Sequence, residues 1–277
     1  MMKKIYAEVT SECVNVFAMK SKQDVTSFVL PVEKSTTYNS KSAVLVANVR
    51  QTVIRVADIS FKPAKSKWGL LLQRIRKINP ISQWDVVKST FPINDKMNEN
   101  THIFDGAIFA NQYGKMRYFM IALPTNIINE ITESCVTLFG NPHHLKRLDT
   151  IENILFRHYM KQGREAFWVM LPQGDGLRIL FLTDGLPRAA WYVSNKPEFR
   201  EDEVLRCLRD SIQMLEAQNI QMSEDVEHTI EINETALKRA VMLNTGRYLE
   251  WLCLLLEKQG VEVEQGKYCL GDFIRGR

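Results

Sequence analysis

The sequence has no two cysteines placed to work together. Its five, Cys13, Cys135, Cys207, Cys253 and Cys269, are scattered and never spaced CxxC. A disulfide framework or a cysteine zinc site needs clustering, so free thiols in a reducing compartment are expected. Long apolar runs are missing too. A membrane span needs roughly 18 to 20 such residues, and the longest candidate, YLEWLCLLLEKQG (248–260), is interrupted by Glu250 and Glu257. The opening MMKKIYAEV has two lysines but no long apolar run and no cleavage site, so it does not read as a secretory signal, and the cytosol is the expected location. There is no GxSxG nucleophile turn and no Gx₄GK[ST] phosphate loop. His143 and His144 have no partner at HxxxH spacing, and His158, beside Arg157, reads as part of a helix face. No catalytic residue and no metal site is therefore assigned. Charge of one sign is also lacking: 36 Lys and Arg against 32 Asp and Glu leave +4, which argues against a coat for nucleic acid.

What is present suits a chain with a substantial core. At 277 residues and 45% hydrophobic content, two domains or one two-lobed domain are expected. Residues 4–31 hold three β-branched and aromatic runs, KIYAEV, CVNVFAMK and VTSFVLPV, with short polar linkers; this is an antiparallel meander. SAVLVANV (42–49) continues it as a fourth strand. Helical spacing marks SKWGLLLQRIRKINP (66–80), through Trp68, Leu71, Leu72, Ile75 and Ile78, with Pro80 as the stop. QWDVVKSTFPI reads as extended, and FDGAIFANQYGKMRYFMIALP as a hairpin turning at NQYG. Thr125 is the expected cap of a helix ended by Gly140, with Ile127, Ile128, Ile131 and Val136 on its buried side. A short strand around HHLKRL precedes a second helix, capped by Asp149 with Glu152 three places on.

From residue 166 the plan repeats. AFWVMLPQGDGLRILFLTDGLPRAAWYV is three apolar runs divided by two turns, QGDG and TDGLP. A helix follows, EFREDEVLRCLRDSIQMLEAQN, with acidic residues in its first turn and Val204, Leu205, Leu208, Ile212 and Leu215 as its stripe. A polar strand near DVEHTIEI, a long helix over about 234–258 and an extended VEVEQGKYCL complete the chain. The methionines 19, 116, 120, 160, 170 and 242 read as core fillers.

Four stretches carry a resemblance: IYAEVTSECVNVF, LDTIENILFRHY, the 166–193 meander with GLPRAAWYV, and the tail KYCLGDFIRGR. Together they resemble the actin-like ATPase superfamily, and within it the actin-like assembly proteins of type IV pili (PilM-like) and the cytoplasmic domain of the type II secretion L protein (GspL-like). The resemblance implies a duplicated α/β fold of the actin-like, ribonuclease H-like kind, each lobe a three-strand meander with helices. The lobes are expected at 1–163, with an insertion of about 66–120, and 164–277. The tail resembles the segment before the membrane span of the secretion proteins, which suggests a longer, anchored chain. The implied partners are a hexameric secretion or assembly ATPase and inner-membrane pilus or secretion proteins, and a homodimer is a further option.

The departures concern nucleotide. An active member of the superfamily sets an acidic residue beside glycine-rich turns, so that backbone N–H groups reach the phosphates and a carboxylate organises Mg²⁺. Here the first turn is Glu8-Val9-Thr10-Ser11-Glu12, without glycine. In the second, Leu171 and Pro172 stand where an acid is expected, followed by Gln173-Gly174-Asp175-Gly176, which also suits a plain hairpin turn. The superfamily's adenosine-side glycine pair is absent, as the chain has no Gly-Gly. No cofactor is expected; should nucleotide bind, Glu8, Thr10, Ser11, Gln173, Gly174, Asp175 and Gly176 are the residues to hold it. The expected function is a non-enzymatic scaffold at the inner membrane. The alternatives are a nucleotide-binding ATPase using Glu8 and Asp175 for Mg²⁺, and a basic adaptor on membrane or nucleic acid. The helix at 66–80 is expected to pack by its apolar side, with Lys67, Arg74, Arg76 and Lys77 in solvent or on an anionic membrane.

Overall fold

The computed structural model describes residues 5–10, 13–18, 25–29, 43–59, 68, 71–72, 82–94, 96–110, 116–140, 145–160, 166–194, 200–224, 237–243, 249–267, 270 and 273. The meander forms as expected: β1 (Ile5–Val9), β2 (Cys13–Ala18) and β3 (Val25–Val29) pair antiparallel. β4 (Ala43–Ala47) then lies parallel to β1 on its other side. An excursion follows through β5 (Val53–Ile59), α1 (Gln83–Thr90), β6 (His102–Ala110) and β7 (Met116–Pro124), with α2 (Thr125–Phe139) leading back. β8 (Leu145–Thr150) completes the first sheet in the order β3-β2-β1-β4-β8. β5, β7 and β6 make a separate three-stranded sheet, so this sheet draws a strand from 53–59, ahead of the expected insertion at 66–120.

After α3 (Ile151–Tyr159) the same architecture recurs. β9 (Phe167–Gln173), β10 (Gly176–Thr183) and β11 (Leu186–Ser194) form a meander, α4 (Arg200–Glu224) crosses over, and β12 (Arg239–Leu243), α5 (Leu249–Lys258) and β13 (Glu262–Gly266) follow. The order β11-β10-β9-β12-β13 matches that of the first sheet strand for strand, with β9, β12 and β13 parallel. The duplication read from the sequence is therefore present as topology.

Strand alternation sorts the core into layers. Ile5, Ala7 and Val9 of β1 face outward, onto α2, together with Ala43, Leu45 and Ala47 of β4. Tyr6, Val44 and Val46 face inward, where they join Phe167, Val169 and Leu171 of β9 and Leu180 and Leu182 of β10. Between the sheets runs α3, buried on nearly every side through Ile151, Ile154, Leu155, Phe156 and Tyr159. The two lobes thus share one apolar core. The outer face of the second sheet packs Trp168, Met170, Ile179 and Phe181 against α4 and α5.

Five local expectations change. QWDVVKST is helical, because Ser82 and Asp85 form a reciprocal capping box that outweighs the strand propensity of Val86 and Val87. Residues 239–243 are a buried strand inside the stretch expected to be one long helix: an apolar run covered on both faces has no period to tell strand from helix. Thr125 is the first helical residue and not the cap; its N–H bonds the Thr101 carbonyl. Thr150, not Asp149, caps α3, and Glu152 points elsewhere. Trp68, Leu71 and Leu72 are helical but exposed, not packed. The basic residues 67, 74, 76 and 77, the NQYG turn, the polar strand near 225–232, His143 and His144 lie outside the described residues.

Candidate functional site

Alternation decides which side chains meet between the sheets. Glu8 shares the inner face of β1 with Tyr6, Asn48 continues the inner parity of β4, Gln173 that of β9 and Arg178 that of β10. All four sit at the same end of the lobes, where the sheets' turns oppose each other, and all are buried.

They form a ladder. Asn48 donates from Nδ2 to Glu8 Oε1 at 2.7 Å. Gln173, from the other lobe, donates from Nε2 to Asn48 Oδ1 at 2.9 Å and to Glu152 Oε1 at 3.3 Å. Its Oε1 accepts from Arg178 Nε at 3.0 Å. Arg178 also pairs with Glu152 Oε1 at 3.1 Å and donates from Nη2 to the carbonyls of Arg50 (3.1 Å) and Thr52 (3.2 Å), both in the first lobe. A charge this deep requires a partner. Burial pulls the Arg178 guanidinium below its ordinary pKa, and the charge of Glu152 opposes that pull. Glu152 Oε2, in a residue with no exposed surface, has no hydrogen-bond partner among the described residues.

At the rim, Asp175 of the QGDG turn takes two hydrogen bonds from Arg50 Nη1, both 3.0 Å, and one from Tyr192 Oη at 2.7 Å. The Tyr192 hydroxyl and then Arg50 hold its carboxyl below the usual carboxylate value. Burial, then Asp175, pushes the Tyr192 phenol up to about 12. Gly174 has a φ of 58°, which the turn requires. Gly176 faces another constraint, since a Cβ there would meet the Tyr192 ring at 2.6 Å and press on the Val193 carbonyl. In the first lobe, Thr10 closes its own turn: its hydroxyl accepts from Cys13 N at 3.0 Å and its N–H bonds the Cys13 carbonyl at 2.9 Å. Ser11 lies outside the described residues.

The structure therefore brings Glu8, Gln173 and Asp175 to one place and adds Asn48, Arg50, Glu152, Arg178 and Tyr192, which sequence reasoning did not assign. The available signal was an arginine inside an apolar strand, GLRILFLT, which demands a buried acceptor. The same signal marks Arg117 in MRYFMIAL. Its Nε donates to Asp58 at 2.8 Å, and its Nη1 bonds Thr183 Oγ1 (2.9 Å) and the carbonyls of Thr183, Leu186 and Pro187 at 3.2–3.4 Å. Arg188 reaches Asp58 at 2.6 Å from the second lobe.

No protein-family model and no curated protein sequence matches the chain. Solved structures do. A chain of a PilM–PilN type IV pilus biogenesis complex is similar over 95% of this chain and 88% of its own length, with a TM-score of 0.53 at 12% identity. A Bacteroides thetaiotaomicron protein with actin-like ATPase fold and unknown function is similar over 99% and 95%, with a TM-score of 0.50 at 10% identity. At such identities the likeness shows the fold. This chain has the actin-like ATPase fold, as its sequence suggested.

Proposed function

We propose that the chain is a non-enzymatic scaffold of a type IV pilus or type II secretion assembly platform, cytoplasmic and peripheral to the inner membrane. It links the assembly ATPase to inner-membrane components, with lobes at 1–163 and 164–277. The observation that carries this reading is the ladder. Beside the turns that the superfamily resemblance assigns to phosphate, Glu8, Asn48, Gln173, Arg178 and Glu152 bond to one another across the lobes, and Asp175 is bracketed by Arg50 and Tyr192. These residues fit a nucleoside triphosphate poorly: the first turn has no glycine, and the carboxylates of Glu8, Glu152 and Asp175 are already engaged by Asn48, by Arg178, and by Arg50 with Tyr192. A body closed in this way has surfaces, strand edges and a basic segment to offer. Likeness to a chain of a PilM–PilN type IV pilus biogenesis complex supports a pilus-biogenesis protein as the class of partner.

Thermal unfolding with millimolar Mg·ATP or Mg·ADP tests the reading. A ligand confined to the folded state at a hundred times its dissociation constant adds about 2.7 kcal/mol, and we expect no shift in midpoint. A clear shift, with phosphate release, would establish instead a nucleotide-binding actin-like ATPase, with Glu8 and Asp175 as candidates for Mg²⁺.

A further inference from the structure

Trp68, Leu71 and Leu72 are helical and expose 75%, 45% and 52% of their surface. Positions i, i+3 and i+4 lie on one side of a helix, so an indole and two leucines make a single apolar stripe turned to solvent. Large apolar groups gathered in water mark a contact surface. In sequence, the stretch 60–80 around them holds Lys62, Lys65, Lys67, Arg74, Arg76 and Lys77 and neither Asp nor Glu. That is +6 in a chain whose total is +4.

We propose that Trp68, Leu71 and Leu72 dock the protein on an anionic phospholipid surface. The apolar stripe enters the headgroup and upper acyl layer, where leaving water is favourable, and the positive charge of the surrounding sequence draws the protein to lipid phosphates. Charge complementarity alone would serve nucleic acid as well. The leucines favour the membrane, because a phosphate backbone offers nothing to an aliphatic side chain. This docking does not depend on the scaffold reading, since it holds whether or not the cleft takes nucleotide.

Flotation with phosphatidylcholine vesicles, with and without phosphatidylglycerol, is the test. The protein should float only with phosphatidylglycerol and less so as salt rises. A Trp68→Ser/Leu72→Ser variant should bind roughly tenfold more weakly at an unchanged unfolding midpoint, since both side chains are exposed. Failure of the protein to float with anionic vesicles overturns the proposal. So does a variant that floats like the parent, which would leave charge alone as the attraction. Binding to a DNA duplex without binding to vesicles would assign the stripe's surroundings to nucleic acid and overturn it equally.

Discussion

At the Gly176 end of β10 the lobes meet through side chains, an amide and carboxylate ladder in which each member needs the next. At the Thr183 end Arg117 gathers backbone carbonyls of the β10–β11 turn, and Asp58, Arg188 and Asp184 bring charge beside it. Both contacts clamp the same meander of the second lobe to the first, one beside the β9–β10 turn and the other at the β10–β11 turn. They differ in what they ask of the sequence. Carbonyls are supplied by any residue, so the Thr183 end depends on Arg117 almost alone. The Gly176 end needs five particular side chains, Glu8, Asn48, Glu152, Gln173 and Arg178. A contact that specific is the feature to test.

The largest effect is expected from Arg178→Met. It leaves Glu152 buried without a counter-charge and removes donors from Gln173 and two carbonyls, which should cost about 3–5 kcal/mol in denaturant unfolding. Adding Glu152→Gln should recover part of that loss, because the stranded charge is gone. Arg117→Met should cost less, about 2–3 kcal/mol, since Asp58 keeps Arg188 and sits largely in solvent. If the order were reversed, the ladder would not be the stronger clamp. Gly176→Ala should cost about 1–3 kcal/mol by forcing the Tyr192 ring and the β11 backbone aside.

The comparison also explains what the sequence made legible. Both meanders were visible, because runs such as IYAEV and GLRILFLT are rich in β-branched and apolar residues and their turns carry Gly, Asp and Ser. Glu8 and the Asp175 turn were singled out through the superfamily resemblance rather than by composition. The ladder was not, although alternation alone puts Glu8, Asn48, Gln173 and Arg178 on inner faces; deciding that two inner faces oppose each other needs the tertiary fold. Glu152 was misread for a related reason. Three residues after Asp149 it matches a capping pattern, yet the cap belongs to Thr150 and the carboxylate turns to a cation 26 positions away, at Arg178. Strand β12 was lost in an apolar stretch that is covered on both faces.

A smaller effect should appear in acid. Partial burial raises the pKa of Asp58, but the hydrogen bond from Arg117 and the charges of Arg117 and Arg188 override it, so the net shift is downward. The folded state then binds fewer protons than the unfolded chain near and below pH about 4. The stability from this carboxylate is present above that range and is lost as pH falls through the folded value. Asp58→Asn should flatten the pH dependence there, measured as the unfolding midpoint from neutral pH into acid.

The most direct test of the ladder is a double-mutant cycle on Asn48→Ala and Gln173→Ala, the pair whose bond crosses between the lobes at 2.9 Å. Unfolding free energies should be non-additive, with a coupling of about 0.5–3 kcal/mol. Strict additivity would mean that the two lobes do not sense each other at this point, and the closed cleft on which the proposed function rests would be contradicted.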